Sequence, residues 1–268
     1  MELNIEAKNI SVDFPVYSHP NRSLRRALFS NQLTARIKRK SQELTQPNYK
    51  VGANVEEDSA GRILINALQD INLNIKEGER VGILGHNGAG KSTLLKVLSG
   101  IYEPISGSLN IVGKPTPMFN LSDGMDEEST GIENIWLRLR LLGAPSEYIE
   151  DHIADIAEFT ELGEFLDLPI RTYSSGMLLR LLFAVATSVN PEILLMDELV
   201  GAGDANFVER ANTRLAEFVD RSGIMIVATH NTKILSDWCT RGIVLERGRI
   251  SMSGGVDDAI NYYKEITG

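Results

Sequence analysis

A glycine-rich run that ends in a lysine and two hydroxyl residues is the stretch of this chain best suited to chemistry. It reads Gly85-His86-Asn87-Gly88-Ala89-Gly90-Lys91-Ser92-Thr93. A short apolar run, Arg80–Leu84, precedes it, and an apolar run that is typical of a helix follows at 94–98. Glycines let successive backbone N–H groups turn toward one point, where the start of a helix adds partial positive charge. The pattern therefore predicts a phosphate-binding loop between a buried strand and a helix.

The polar side chains of this loop predict what it binds. Lys91 is placed to reach the β- and γ-phosphates of a nucleotide, and Ser92 is placed to offer its hydroxyl to a Mg²⁺ ion that bridges the same phosphates. A glycine-rich turn with an incidental lysine is the plainer alternative, but it does not explain the complete spacing. We expect residues 85–93 to hold the phosphates of a nucleotide.

Two apolar runs further along the chain end in groups that could act on such a ligand. Asp197 and Glu198 close the run that begins at Glu192, and His230 closes the run that begins at Ile224. Continuously apolar strands belong to buried parallel sheets, whose carboxyl ends meet at one edge. These side chains are therefore expected beside the phosphate loop.

The expected roles follow from the chemistry of phosphoryl transfer. Asp197 would hold Mg²⁺, directly or through water, Glu198 would polarise the attacking water as a general base, and His230 would hold the γ-phosphate and that water in line. Taken alone, an acidic pair is usually surface charge, and a histidine after a strand is usually a turn residue. Their shared order along the chain makes coincidence improbable.

Composition narrows the functional classes. The chain has 268 residues, of which 43% are hydrophobic and 24% are charged, and its formal net charge is −9. The acidic balance disfavours a broad nucleic-acid-binding surface. With Cys239 as the one cysteine, an internal disulfide cannot form and redox chemistry is not expected. No apolar run approaches the roughly 20 residues that span a bilayer.

Strand-like and helix-like runs alternate along the chain, which indicates an α/β fold with a largely parallel sheet. The predicted strands lie at 3–14, 67–75, 80–84, 108–112, 192–198, 224–230, 242–246 and 249–253, and the predicted helices at 94–98, 131–167, 178–189, 207–220 and 257–266. The first three strands are expected to form one folding unit.

The segment from about 15 to 62 differs from the rest of the chain in amino-acid composition and is predicted to be an insertion. Between residues 22 and 40 it carries seven Lys or Arg residues, with no acidic residue between Asp13 and Glu43. Two interpretations stay open: a solvated loop, or a basic amphipathic element that lies near anionic lipid headgroups or an anionic substrate.

With these motifs in place, the chain resembles the nucleotide-binding subunit of ABC transporters over about 1–15 and 62–255. The resemblance implies a P-loop NTPase fold of the RecA-like type, with a mostly parallel sheet core, an antiparallel β subdomain and a helical signature subdomain at 131–189. It also implies ATP and Mg²⁺ as ligands, one domain over 1–268, and a short C-terminal helix at 255–268. Glu198 matches the catalytic glutamate and His230 the switch histidine.

Tyr173-Ser174-Ser175-Gly176-Met177 takes the place of the family signature. Ser174 would open a helix whose N-terminal amides form an anion site, and the resemblance implies that Ser174, Ser175, Gly176 and Met177 contact ATP held by a second copy of the chain. A homodimer with two shared nucleotides is therefore expected. Asp204 would lie in the loop that follows the glutamate and contacts the opposite subunit.

Two assignments carried over from the family are less direct. The family stacks adenine on an aromatic residue after the first strand, a position that matches Phe14, with Tyr17 as the runner-up and a plain core role as the alternative for Phe14. The family also places a glutamine near a position where this chain has Asn120, and no glutamine follows Gln69. Asn120 is the candidate substitute as a Mg²⁺ contact.

Finer motifs resemble the branch that exports bacterial cell-surface polysaccharides such as O-antigen, capsule and teichoic acid. They are the signature with the apolar helix after it, Gly203-Asp204-Ala205-Asn206-Phe207, and Gly131-Ile132-Glu133-Asn134-Ile135. The implied partners are an integral-membrane permease and, indirectly, a lipid-linked polysaccharide, with no nucleic acid. The expected location is the cytoplasmic face of the inner membrane, and no separate C-terminal carbohydrate-binding domain is expected. An ABC ATPase for another substrate, or one without a role in transport, is the alternative.

Overall fold

The computed structural model describes residues 2–16, 54–57, 63–119, 121–197 and 205–267. The strands in this part of the chain are β1 (Asn4–Val16), β2 (Asn54–Glu57), β3 (Ile63–Lys76), β4 (Arg80–Leu84), β5 (Ser106–Val112), β6 (Pro115–Pro117), β7 (Ile193–Asp197), β8 (Ile224–Ala228), β9 (Arg241–Glu246) and β10 (Arg249–Gly255). The α-helices are α1 (Lys91–Leu98), α2 (Gly131–Leu141), α3 (Ser146–Thr160), α4 (Ser175–Ala186), α5 (Ala205–Asp220), α6 (Thr232–Trp238) and α7 (Val256–Thr267).

Four strands form an antiparallel sheet in the order β2-β3-β1-β5. Along β1 the buried side chains are Ile5 and Ala7, and then Ile10 and Val12, so the alternation changes phase once. The change occurs where the register shifts between Ala7 and Ile10, at Asn9, whose φ is +51°. A β-bulge explains this phase change, because one extra residue in a strand turns the later side chains to the other face.

Six strands form the second sheet in the order β10-β9-β4-β8-β7-β6. All neighbours from β9 to β6 pair in parallel, and only β10 is antiparallel to its neighbour. Because β8 lies between β4 and β7, the carboxyl ends of these three strands meet at one edge of the sheet. The predicted mostly parallel core is therefore present, with the antiparallel sheet as a separate unit.

The parallel sheet is buried on both faces, as its continuous apolar runs require. In β8, Ile224, Ile226 and Ala228 face a core shared with the antiparallel sheet and α1. Met225 and Val227 face the opposite core, which includes side chains from α5, α6 and α7. A third apolar cluster lies among α2, α3 and α4.

Several boundaries differ from the sequence prediction. The predicted helix at 131–167 is divided, because Gly143 has a φ of +86° and Pro145 caps α3, and a 3₁₀ turn occupies Gly163–Asp167. The helix predicted at 178–189 begins at Ser175 and ends at Ala186. β6 and α6 were not predicted; they are only three and seven residues long, too short for a periodic pattern.

The predicted insertion and the first folding unit also differ from expectation. Residues 15 and 16 continue β1 and residues 54–57 form β2, while 17–53 and 58–62 lie outside the described residues. The turn after Lys76 carries the chain into a different sheet, because β4 pairs with β8 and β9 and not with β3. The first three predicted strands are therefore not one unit.

A buried asparagine organises the loop before α2. Asn134 is fully buried, and its Oδ1 accepts a hydrogen bond from the backbone N–H of Asp126 at 2.8 Å. Its Nδ2 shares its protons among the carbonyls of Asp126, Ser129 and Thr130 at 2.9 to 3.1 Å. One side chain thus satisfies backbone groups from 126 to 130, so it fixes the approach of the chain to the helical region.

We expect Asn134→Ala to lower the free energy of unfolding by about 1 to 3 kcal/mol, because the N–H of Asp126 loses its acceptor and the carbonyls of Asp126, Ser129 and Thr130 each lose one of the hydrogen bonds that they accept. Urea denaturation measures the change. Asn261→Ala, at an exposed position of α7, is the matched control and is expected to stay within about 0.5 kcal/mol of the wild type. Equal effects from the two substitutions would contradict the organising role of Asn134.

Candidate functional site

The phosphate loop joins β4 to α1 and already surrounds its own lysine. Lys91 is 7% exposed, and its Nζ donates hydrogen bonds to the carbonyl oxygens of Gly85 at 2.7 Å and His86 at 3.2 Å. Burial of an ammonium group is costly unless it is hydrogen-bonded. The loop carbonyls offset that cost and hold the cation at the start of α1.

Close packing against both sheets fixes the glycines of this loop. Gly90 has a φ of +107°, and a Cβ there would lie 2.6 Å from the carbonyl oxygen of Ala67 in β3. A Cβ at Gly85 would lie 2.5 Å from the carbonyl oxygen of Leu245 in β9. Neighbouring backbone leaves no space for a side chain at either position, so glycine is required on steric grounds as well as for its φ.

The β9–β10 turn supports the loop through backbone hydrogen bonds. The N–H of Gly248 donates to the carbonyl of Ala89 at 2.9 Å, and the carbonyl of Gly248 accepts from the N–H of Gln69 at 2.8 Å. Gly248 thereby links the phosphate loop to β3 and so to the antiparallel sheet. No spacing rule relates Gly248 to the loop, and the sequence prediction therefore missed it.

A cavity of about 420 Å³ opens above the loop and brings together side chains that are distant in sequence. Its lining residues are Asn87, Gly88, Gly90, Lys91, Ser92, Thr93, Asp197 and His230. Asp197 ends β7 and His230 follows β8, so the strand order that places β8 between β4 and β7 delivers both groups to the loop. Their roles in catalysis remain predictions, but their convergence is a feature of the fold.

The oxygen donors in this cavity suit Mg²⁺. Ser92 supplies a hydroxyl and Asp197 a carboxylate, and Mg²⁺ characteristically takes few protein ligands and keeps several waters. Within the described residues there is no group of three His, Cys, Asp or Glu side chains that could hold a metal ion. The residues present therefore fit a Mg²⁺ ion that is held partly by phosphates better than a closed zinc site.

The signature residues begin α4 and lie at a different cavity. Ser174 caps the helix, since its Oγ accepts a hydrogen bond from the N–H of Met177 at 3.2 Å. The cavity there measures about 350 Å³ and is lined by Glu161, Leu162, Phe165, Ser174, Gly176, Met177 and Arg180. Ser175 is exposed at the first position of α4. No phosphate-loop residue is among those lining residues, so one chain holds the two predicted halves of the ATP site apart.

Two predicted nucleotide contacts have protein partners of their own. Phe14 is half-buried and meets Tyr102 edge to face, with ring centroids 5.4 Å apart, so its contact with adenine stays a prediction. The ring of His86 packs against Tyr263 of α7 at 5.7 Å, and His86 is not among the cavity residues above. No sequence pattern relates Tyr263 to this loop, because Tyr263 lies more than 170 residues further along the chain.

Four predicted residues lie outside the described part of the chain: Tyr17, Asn120, Glu198 and Asp204. The structure therefore does not place the adenine runner-up, the candidate substitute for the family glutamine, the general base or the loop toward the opposite subunit. Asp197, the last described residue before Glu198, lines the cavity. All four assignments remain predictions.

Comparison with known proteins bears on this site. A family model described as ABC transporter matches residues 68–201. The O-antigen export system ATP-binding protein RfbE of Yersinia enterocolitica is 41% identical over 243 residues, which cover 91% of this chain and 94% of that protein. The chain belongs to the ABC transporter family. A second relative, the O-antigen export system ATP-binding protein RfbB of Klebsiella pneumoniae, is 33% identical over 265 residues and 99% of each chain.

A solved structure shows the same fold. The ATP-binding cassette MJ0796, solved as a dimer in a post-hydrolysis state with ADP and Pi, superposes with a TM-score of 0.63 over 94% of this chain and 98% of that one, at 21% identity. The predicted fold and the prediction of an ABC-type ATP hydrolase are confirmed. In the described part of this ABC protein, no helix has the length and apolar character needed to cross a membrane.

Gly248→Ala tests whether the β9–β10 turn supports the phosphate loop. Gly248 has a φ of +78°, and a Cβ there would lie 2.7 Å from the carbonyl oxygen of Ala67. We expect a loss of stability of about 1 to 2 kcal/mol from the backbone conformation, a further loss of about 1 to 3 kcal/mol from overpacking, and a several-fold rise in the KM for ATP.

Gly100→Ala is the matched control for this substitution. Gly100 has a similar φ of +76°, and nothing lies within 4 Å of its Cβ position. This variant should show the backbone cost alone, with an unchanged KM. Thermal unfolding and steady-state ATPase assays measure both effects, and an equal KM in the two variants would contradict the support given by Gly248.

Proposed function

We propose that the chain is the ATP-binding and ATP-hydrolysing subunit of an exporter for a lipid-linked cell-surface polysaccharide of the O-antigen type. The ATPase part is carried by the convergence of Lys91, Ser92, Asp197 and His230 on one cavity. The assignment of the exported cargo is supported by the two O-antigen export proteins that match this chain over nearly its whole length.

The cavity supports phosphoryl transfer to water through positioned charge, with little covalent chemistry required. The amides at the start of α1 and the ammonium of Lys91 would stabilise the negative charge on the phosphates. To do this, Lys91 would exchange part of its bonding to the Gly85 and His86 carbonyls for phosphate oxygens, which form stronger charge-assisted hydrogen bonds.

Two further groups would prepare the attacking water. Glu198 would accept its proton as a general base, and His230 would orient the water and the γ-phosphate. Ser92 and Asp197, with Asn120 as a candidate third ligand, would hold the Mg²⁺ ion. That ion, when bound, would neutralise charge across the β- and γ-phosphates.

The proposed functional unit is a homodimer that shares two ATP molecules. Ser174, Gly176 and Met177 line a cavity without a phosphate loop, and a helix N-terminus is well suited to a phosphate group. A second copy would bring its loop to that cavity, with Asp204 near the contact. The MJ0796 cassette, which shares this fold, was solved as a dimer.

Further partners follow from the proposed export role. The dimer would act as a peripheral unit at the cytoplasmic face of the bacterial inner membrane, held there by an integral-membrane permease. The seven basic residues between 22 and 40 remain a candidate contact for the anionic pyrophosphate of the glycan lipid or for headgroups. They lie outside the described residues.

Mixing two inactive variants tests the shared site. Lys91→Ala removes the phosphate contact of one half-site, and Ser174→Ala removes the signature hydroxyl of the other. A mixed dimer would keep one complete site, built from the intact Lys91 of one copy and the intact Ser174 of the other. We expect ATPase activity to reappear on mixing, measured by phosphate release. Activity that stays at the sum of the two separate variants would contradict a shared site.

Glu198→Gln tests the catalytic and export roles together. We expect this variant to bind ATP and to accumulate as an ATP-bound dimer in size-exclusion chromatography, with phosphate release reduced by a factor of about 100 or more, because the general base is lost. In cells that lack the native copy, surface polysaccharide should be absent with Glu198→Gln and present with wild type. Normal surface display with the variant would overturn the export role, and undiminished hydrolysis would overturn the catalytic role.

A further inference from the structure

The last helix of the described chain reaches the phosphate loop with a tyrosine. Tyr263 in α7 is half-buried, and its ring centroid lies 5.7 Å from that of His86, with the two ring planes at 57°. Burial raises the pKa of the Tyr263 phenol, so the side chain is neutral at physiological pH. The His86 contact is therefore one of aromatic packing.

The contact with Tyr263 involves a loop residue, His86, that also makes a hydrogen bond to Lys91. Its carbonyl oxygen accepts a hydrogen bond from Lys91 at 3.2 Å, next to the Gly85 carbonyl at 2.7 Å. Gly85 itself packs directly against the backbone of Leu245. The backbone of Gly85 is thus confined by β9, while the ring of Tyr263 packs against the side chain of His86.

A second contact of α7 reaches the strand β9, whose following turn is hydrogen-bonded to the phosphate loop. The hydroxyl of Tyr262 donates to Oε1 of Glu246 at 3.2 Å, and Glu246 is the last residue of β9. The turn that follows Glu246 contains Gly248, which donates to the carbonyl of Ala89. Adjacent tyrosines therefore link α7 to the loop directly and through its supporting hairpin.

We propose that Tyr263 is a positioning residue for nucleotide binding, which acts by holding His86 and the two carbonyls that order Lys91. A loop that is ordered before binding loses less conformational entropy when it closes on phosphates. The proposal rests on the proposed binding of ATP by the loop, and it assigns no contact between Tyr263 and the nucleotide.

The test is calorimetric titration of ADP with Mg²⁺ into the full chain, because ADP probes the loop without hydrolysis. An aromatic pair contributes a free energy that corresponds to a change in Kd of about twofold to tenfold. We expect Tyr263→Ala to raise the Kd for ADP by that factor. Tyr263→Phe should restore the wild-type Kd, because the ring makes the contact.

Ile266→Ala is the matched control for a general weakening of α7. Ile266 lies three residues further along the same helix and packs, like Tyr263, against the apolar cluster beneath it. This control is expected to lower the Tm without raising the Kd. In ATPase assays Tyr263→Ala should raise the KM for ATP while kcat stays within about twofold, since binding rather than chemistry is affected.

A double-mutant cycle tests whether Tyr263 affects nucleotide binding through His86. When His86 is already Ala, Tyr263→Ala should have little further effect on the Kd. Additive effects, an equal rise in Kd for Ile266→Ala, or a defect in Tyr263→Phe as large as that of Tyr263→Ala would each overturn the positioning role. Failure of the wild type to bind ADP would instead overturn the proposed function, so the two failures are distinguishable.

Discussion

A buried lysine bonded to carbonyls of its own loop is the interaction on which the rest of this structure depends. Lys91 is 7% exposed, and the carbonyl oxygens of Gly85 and His86 accept hydrogen bonds from its ammonium group, which offsets part of the cost of burial. The curl that turns these carbonyls inward needs backbone conformations that favour glycine. Such a loop would be poorly ordered alone. The antiparallel sheet contacts it at Gly90, and β9 contacts it at Gly85. The two sheets therefore meet at the phosphate site because each supplies part of the wall that keeps the loop curled.

The parallel sheet adds the chemical groups to this scaffold through its strand order. Because β4, β8 and β7 are neighbouring parallel strands, Lys91, His230 and Asp197, at or just after their carboxyl ends, line one cavity. The signature helix is held differently. It packs with α2 and α3 around a separate apolar cluster, and the approach to that region is set by the hydrogen bonds of Asn134. The same helix also places Phe183 and Ala186 in the core beneath the parallel sheet, so its position is coupled to the sheet that carries the phosphate loop.

The sequence predicted the elements whose structure is encoded locally. The bounds of β4 follow from the motif itself, and so does the presence of a helix after the loop, although that helix begins at Lys91 and not at the predicted residue 94. Asp197 and His230 could be placed beside the loop because buried parallel strands end at a common edge. β6, with two prolines in three residues, and the short α6 carry no readable period. Gly248 and Tyr263 act through packing across long sequence separations, for which no pattern exists, and the bulge at Asn9 appears in the sequence only as an unexplained change of phase.

The separation of the signature cavity from the phosphate cavity has a consequence for how the protein behaves at different abundances. Under the proposed function, a single chain would bind the phosphates at its own loop but would lack the signature helix of a second copy. In the proposed dimer, completion of each site would be governed by mass action between copies, so ATP turnover per chain would fall on dilution while the chains remain folded. A membrane partner that holds two copies side by side would replace this dependence on bulk concentration with a high local one. Attachment to the proposed membrane partner would therefore raise ATP hydrolysis per chain as well as determine where in the cell the protein acts.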